Sequence, residues 1–112
     1  MIDRDTMEQL YKSYMAEITP ATGKFYSFVS MVENGYYVQN AKGLMNNLRQ
    51  EVLNIVDKHL DKWKKLGILK NYSVGYKENI GKVDFIFDIP DEYFWFFEKY
   101  FPGTKDLNKC DK

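Results

Sequence analysis

Histidine is the side chain that general acid–base catalysis uses most often. His59 is the only histidine. As a general base it needs an acid or a nucleophile beside it in space. Asp57 and Asp61 flank His59, but residues two positions apart on a helix do not share a face. The sequence therefore predicts an ordinary histidine at the boundary of the core.

The sequence gives no better support for a catalytic nucleophile or a metal site. The one cysteine, Cys110, lies in a polar segment without the electropositive setting that activates a thiol. Zinc normally takes several ligands from His and Cys. The pair Asp57 and Asp61, four residues apart, is typical of a solvated helix face and not of a metal site. The sequence has no Gly-x-Ser-x-Gly elbow, glycine-rich phosphate loop or dinucleotide motif. We expect no enzymatic activity, no metal site and no cofactor.

The composition is that of a small folded protein. The 112 residues, 45% of them hydrophobic, predict one domain over residues 1–103, followed by a mobile polar tail over 104–112. Lys and Arg together number 16, as do Asp and Glu, so no excess charge points to nucleic acid. The sequence has neither a membrane-spanning run nor a signal peptide, and its single cysteine fits a reducing compartment. We expect a cytoplasmic protein.

The first half of the sequence predicts a helix and a hairpin. Residues with helical spacing form one apolar stripe: Met7, Leu10, Tyr11, Tyr14, Met15 and Ile18. Thr19–Pro20 is expected to end this helix, because a residue before proline is pushed out of the α region. Residues 25–32 are rich in β-formers, and Asn34–Gly35 is a strong hairpin signal before residues 36–39. These two runs predict a β-hairpin.

The second half predicts a long helix and another hairpin. Apolar residues from Met45 to Leu66 keep helical spacing over about residues 40–66, and Gly67 is a natural left-handed cap. Alternating residues over 72–76 and 83–89 predict an antiparallel pair joined by residues 77–81. Pro90 then starts a run, 91–101, whose aromatic residues have helical spacing but also favour strands.

Together these elements predict an α+β fold in the order α-β-β-α-β-β-α. Its simplest form is a single antiparallel sheet of two hairpins packed against the long central helix. The strand order stays open, as does an arrangement in two smaller sheets.

The aromatic content points to a binding role. Of all residues, 17% are aromatic, including nine tyrosines, and so many hydroxyl groups are not all deeply buried without partners. Exposed tyrosines are enriched at protein interfaces, and sheet edges accept added strands. We therefore expect a non-enzymatic module that binds another protein or itself. The candidate contact residues are Tyr26, Phe28, Tyr36, Tyr37, Tyr72 and Tyr76.

A small nucleic-acid-binding protein is the alternative. Lys58, Lys62 and Lys65 lie along one side of the long helix, and tyrosines on strands offer stacking surfaces for single strands. Asp57 and Asp61 dilute this charge, and the chain has only two arginines, the residue that base and phosphate recognition favour.

Residues 44–101 carry a resemblance. A long amphipathic helix leads into the glycine-containing turn Leu66–Tyr72, and the strand Val83–Pro90 is followed by an aromatic end. This pattern resembles the C-terminal domain of contractile phage-tail sheath proteins and the related domain of baseplate proteins. The resemblance implies assembly by exchange of strands between subunits. It suggests a phage-encoded virion or tail component, or an inhibitor of a host protein, located in the host cytoplasm or the virion.

Overall fold

The computed structural model describes residues 2–77 and 82–101, and the backbone of residues 105 and 106; at residues 76, 77, 82 and 83 it describes the backbone alone. The elements, in chain order, are α1 (Arg4–Glu33), α2 (Ala41–Lys65), β1 (Asn71–Lys77), β2 (Lys82–Asp88), a 3₁₀ turn (Asp91–Tyr93), α3 (Phe94–Tyr100) and β3 (Lys105–Asp106).

The predicted α-β-β-α-β-β-α order is wrong. The chain begins with two long helices, α1 and α2, which pack against each other as a helical hairpin. Of the two predicted β-hairpins only the second exists, so the antiparallel part of the sheet has two strands, β1 and β2. The architecture is a helical hairpin with a small sheet and a short third helix at one end.

The segment predicted as the first hairpin is the second half of α1. Ala21, Phe25 and Val29 are buried and continue the stripe of Tyr14 and Ile18, so the helical period runs on past the predicted end. Packing on α2 outweighs the β propensity of the aromatic and β-branched residues.

Asn34–Gly35 is the end of a helix and not a hairpin turn. The amide of Gly35 donates to the carbonyl of Val32, and that of Tyr36 donates to the carbonyl of Met31. Gly35 has φ of 88°, so this is the pattern in which a left-handed glycine satisfies the last carbonyls of a helix. The same pattern closes α2, where the amides of Gly67 and Ile68 donate to the carbonyls of Lys64 and Trp63.

Pro20 lies inside α1 and does not end it. Proline has no amide hydrogen to give to the carbonyl four residues earlier, and an interior proline costs a helix about 3 kcal/mol. The hydroxyl of Thr22 donates to the carbonyls of Ile18 and Thr19, at 3.0 and 3.1 Å. Burial of Ile18 and Ala21 on either side of Pro20 offsets the loss.

Three predictions from the second half are confirmed: the long helix, its glycine cap and the antiparallel pair of strands. The long helix, predicted over about 40–66, is α2, and Gly67 has the left-handed φ of 84°. β1 and β2 pair antiparallel, with Tyr72 opposite Phe87 and Val74 opposite Phe85; residues 78–81 of their connection lie outside the described residues. The open question over residues 91–101 resolves as a 3₁₀ turn followed by α3.

The chain after α3 is described only in part. Lys105–Asp106 forms β3, which pairs in parallel with Ile86 and Phe87 of β2. The remainder of the predicted mobile tail, including Cys110, lies outside the described residues.

The molecule has two parts with different surroundings. α1, about 45 Å long at 1.5 Å per residue, runs most of the 51 Å length of the molecule. We call residues 20–50 the arm and the other described residues the body. The main core lies in the body, where β1, β2 and α3 cover the helical hairpin. Among the described core residues, Ala21 is the only one that belongs to the arm.

Candidate functional site

The side chain of His59, on α2, forms a hydrogen bond with an acidic side chain of α1. Its Nε2 lies 2.6 Å from Oε2 of Glu17, and Lys58 Nζ lies 2.6 Å from Oε1 of the same carboxylate. These two hydrogen bonds, that of Lys58 first, hold the pKa of Glu17 below its usual value. His59 is buried, and the ring of Tyr14 packs edge-on against it at 5.6 Å. The arrangement ties α1 to α2.

A shallow polar depression of about 710 Å³ holds the three lysines proposed for nucleic acid. Lys58, Lys62 and Lys65 line it together with Asn54, Asp57, Asp61 and Tyr72. Acids take up much of the positive charge, because Lys58 pairs with Glu17, and Lys65 Nζ lies 3.7 Å from Asp61 Oδ2.

Tyr72 stands at the edge of this depression. Its hydroxyl donates to Asp57 Oδ1 over 3.4 Å. Burial raises the pKa of Tyr72, and the charges of Asp57 and Asp61 add to that effect. The two carboxylates near this ring are unfavourable neighbours for a phosphate. Tyr72 therefore shares the depression with acids as well as with the three lysines.

The six predicted protein-contact residues divide between the arm and the body. Tyr26 and Phe28 lie on α1, and Tyr36 and Tyr37 lie in the loop between α1 and α2. Tyr37 is 89% exposed and Tyr36 is 67% exposed, whereas Phe28 is half-buried. Tyr72 is half-buried on β1 in the body, and the side chain of Tyr76 lies outside the described residues. The structure thus brings four of the six to the arm.

An open apolar groove runs along one side of the arm. It has a volume of about 460 Å³, and its lining residues are Gly23, Lys24, Ser27, Phe28 and Met31 of α1 and Leu48 of α2. No atom lies within 4 Å of where a Cβ on Gly23 would stand, so the groove is open there. At its edge Lys24 Nζ lies 3.3 Å from Glu51 Oε2.

Sequence reasoning missed Met31, Leu44 and Leu48. Met31 is 40% exposed and Leu44, one turn before Leu48 on the same side of α2, is 41% exposed. The signal was present as helical spacing, since Ser27 and Phe28 precede Met31 by four and three residues. Reading residues 25–32 as a strand assigned those side chains to alternate faces and hid the stripe.

The arm is poor in charge. Among residues 20–50 only Lys24, Glu33, Lys42 and Arg49 are charged, four of 31, against 28 of the other 81 residues of the chain. Depletion of charged residues is typical of the centre of a protein interface. The arm therefore differs from an ordinary solvated helical surface.

Tyr26 lies on the opposite side of α1 from the groove. It is 50% exposed, and the separation of five positions from Met31 places the two side chains about 140° apart around the helix. The predicted contact residues of the arm therefore do not share one face. Phe28 belongs to the groove, and Tyr36 and Tyr37 belong to the tip.

Comparisons with protein-family models, curated proteins and solved structures found no match for this chain. The resemblance of residues 44–101 to phage-tail domains remains a prediction. In the part of the chain that the structure describes, no three His, Cys, Asp or Glu side chains form a cluster that could hold a metal ion. None of the described helices is sufficiently long and apolar to cross a membrane.

Proposed function

We propose that this chain is a protein-binding module without enzymatic activity, and that it binds through the arm. The observation that carries the proposal is the groove between α1 and α2, in which Met31 is exposed beside Phe28 and Leu48 on a segment poor in charge. Burying such apolar surface against a partner is favourable by about 25 cal/mol per Å².

The tip of the arm adds the two most exposed tyrosines of the described residues. Tyr36 and Tyr37 stand at the end of a projecting helical hairpin, where a partner reaches them without meeting the body. Tyrosine buries a large ring at low entropic cost and keeps a hydroxyl for hydrogen bonding. Groove and tip together offer an apolar contact with a polar rim.

No specific observation favours the nucleic-acid alternative over this one. Lys58 and Lys65 are paired with acids, and the tyrosine nearest to them, Tyr72, lies beside two carboxylates. A phosphate contact with Lys58 or Lys65 would have to compete with these ion pairs.

Capture of partners with matched variants tests the proposal. The intact chain, immobilised, is exposed to the proteins of the cell that makes it, alongside Met31→Glu, the double variant Tyr36→Ala, Tyr37→Ala, and Ile86→Glu. Ile86 is the control because it is 36% exposed, close to the 40% of Met31, and lies on β2 in the body. We expect a protein retained by the wild-type chain and by Ile86→Glu, and reduced about tenfold or more on both arm variants, as for loss of a contact worth over 1 kcal/mol.

The proposal fails if the retained proteins are the same on all four chains, or if Ile86→Glu loses them while the arm variants keep them. Circular dichroism of each variant confirms that the helices are intact before capture.

A further inference from the structure

The apolar surface of the arm is wider than one neighbouring helix covers. On α1 the buried stripe of Ala21, Phe25 and Val29 faces α2, and the groove residues Phe28 and Met31 lie beside it. In a hairpin each helix has one neighbour, whereas in a four-helix bundle each helix has two and carries a correspondingly wider apolar stripe. The helices of the arm thus carry an apolar stripe as wide as in a four-helix bundle, but each has only the one helical neighbour of a hairpin.

In the body the second neighbour is present. β1 packs on α2 there, and α3 packs on α1, where the rings of Tyr11 and Tyr100 stack at 4.1 Å. Among the described residues, no sheet or third helix covers the groove side of the arm. The missing layer is therefore a feature of the arm alone.

The groove face is neutral and self-compatible. Its two charged side chains, Lys24 and Glu51, form an ion pair with each other at 3.3 Å, so the face presents no net charge. A two-fold axis brings the same patch of each subunit together, and two copies of this face meet without like-charge repulsion. A strongly acidic or basic partner, by contrast, would find no complementary charge.

The size of the face suits a weak dimer. From residue 20 to residue 33, α1 spans about 20 Å, and two helices side by side are about 20 Å wide. Two such faces together bury roughly 800 Å² of surface, which is below the standard size of a stable interface and in the range of weak, transient contacts. A contact of this size fits a weak, reversible dimer and not an obligate one.

From these observations we infer that the groove binds a second copy of this chain, so that two arms related by a two-fold axis form a four-helix bundle. This inference rests on the proposed function, because it names the partner of the arm.

Sedimentation equilibrium of the intact chain over micromolar to millimolar concentration tests it. We expect a reversible monomer–dimer equilibrium for the wild-type chain. Met31→Glu places a charge in the contact twice, once from each copy, and should raise the dissociation constant about 100-fold or more. Tyr26→Glu is the matched control, since it adds the same charge to the same helix at a similarly exposed position on the opposite side. It should leave the dissociation constant within about threefold.

A second groove variant guards against a folding defect. Ser27→Arg adds bulk and charge at an exposed position and removes no buried side chain. We expect it to abolish dimerisation while its helical content and unfolding midpoint stay close to those of the wild-type chain.

Two results overturn the inference. The first is a wild-type chain that remains monomeric at millimolar concentration; if capture of another protein still depends on Met31, the proposed function stands and only the identity of the partner is wrong. The second is a dimer that both groove variants, Met31→Glu and Ser27→Arg, leave unchanged, which removes the groove as the contact. If capture is also insensitive to the arm variants, the proposed function fails with it.

Discussion

The helices α1 and α2 lie partly in the body and partly in the arm, and the two parts of this helix pair differ in what covers them. In the body, α1 and α2 are covered by β1, β2 and α3, and aromatic rings fill the space between these layers. In the arm, Phe25 and Val29 are buried between the helices, and the next stripe of apolar side chains is open to solvent. The body therefore has the enclosed apolar packing that stabilises a fold, whereas the apolar surface of the arm is only partly covered.

The distribution of charge follows the same division. Among residues 20–50, four of 31 are charged, whereas the rest of the chain has 28 charged residues in 81. Body surfaces that face water carry ion pairs such as Lys99 with Glu8. An arm whose only role was to be solvated would be expected to carry charge at a similar frequency.

Trp63→Ala should have the largest effect on stability. Trp63 is fully buried, and its ring centroid lies 5.7 Å from those of Tyr14 and Phe96 and 5.9 Å from that of Phe101. Removal of so large a side chain from a site enclosed on all sides costs about 3–5 kcal/mol, measured as the free energy of unfolding in urea.

Trp63→Phe is the control for this prediction. Trp63 Nε1 is buried without a hydrogen-bond partner, so phenylalanine removes an unsatisfied polar group while keeping most of the ring. We expect it to cost less than half as much as alanine. A loss below 1 kcal/mol for Trp63→Ala would show that the body is not the centre of stability.

Phe25→Ala should have a smaller and more local effect. Phe25 is also fully buried, but it lies between two helices outside the main core, so the cavity collapses more readily. We expect a loss of roughly 2–3 kcal/mol. Hydrogen exchange should show faster exchange of arm amides with little change in β1, β2 and α3. Equal acceleration throughout the chain would contradict the division into body and arm.

Pro20→Ala should stabilise the protein. Alanine restores the amide that proline lacks and removes the clash of its ring with the preceding turn. A gain of about 1–2 kcal/mol remains after the greater freedom that alanine gives the unfolded chain. Thr19→Ala, at the exposed preceding position, is the control and should change the unfolding free energy by less than about 0.5 kcal/mol. A loss of stability in Pro20→Ala would show that Pro20 shapes the junction of body and arm.

The sequence predicted the second half of the fold better than the first, for a physical reason. Gly67 follows a long uninterrupted stripe, so its role as a helix end was unambiguous. Gly35 ends a helix in the same way, but Pro20 interrupts the local signal of that helix. Whether α1 continues through Pro20 depends on packing against α2, which no local pattern contains.

The candidate site was predicted in part. High aromatic content correctly pointed to exposed tyrosines, and Tyr36 and Tyr37 are exposed. The groove required knowing that residues 25–32 are helical, because that period alone places Phe28 and Met31 on one side. Glu17, the partner of His59, lies 42 residues away in sequence, and only the pairing of α1 with α2 brings them together.

Glu17→Gln should have the smallest effect, and it appears on acidification. Hydrogen bonds from Lys58 and His59 hold the pKa of Glu17 below the ordinary value of 4.5. Its contribution to stability is therefore complete above about pH 4.5 and is lost as the pH falls through the lower, folded-state pKa. Urea unfolding between pH 7 and pH 3 should show a shallower loss of stability below pH 4.5 in the variant than in the wild-type chain. Asp3 and Glu8, whose pKa values are also lowered, account for part of the loss that remains.

Glu51→Gln is the matched control, because Glu51 forms the corresponding ion pair with Lys24 of the arm. Lys24 and Glu51 are both well exposed, and exposed pairs contribute little to stability. The interaction of Glu17 in the body differs, because one of its partners, His59, is buried and would lose a charged hydrogen-bond acceptor. If Glu17→Gln and Glu51→Gln behave alike on acidification, the ion pairs do not distinguish body from arm, and the contrast between the two halves rests on apolar packing alone.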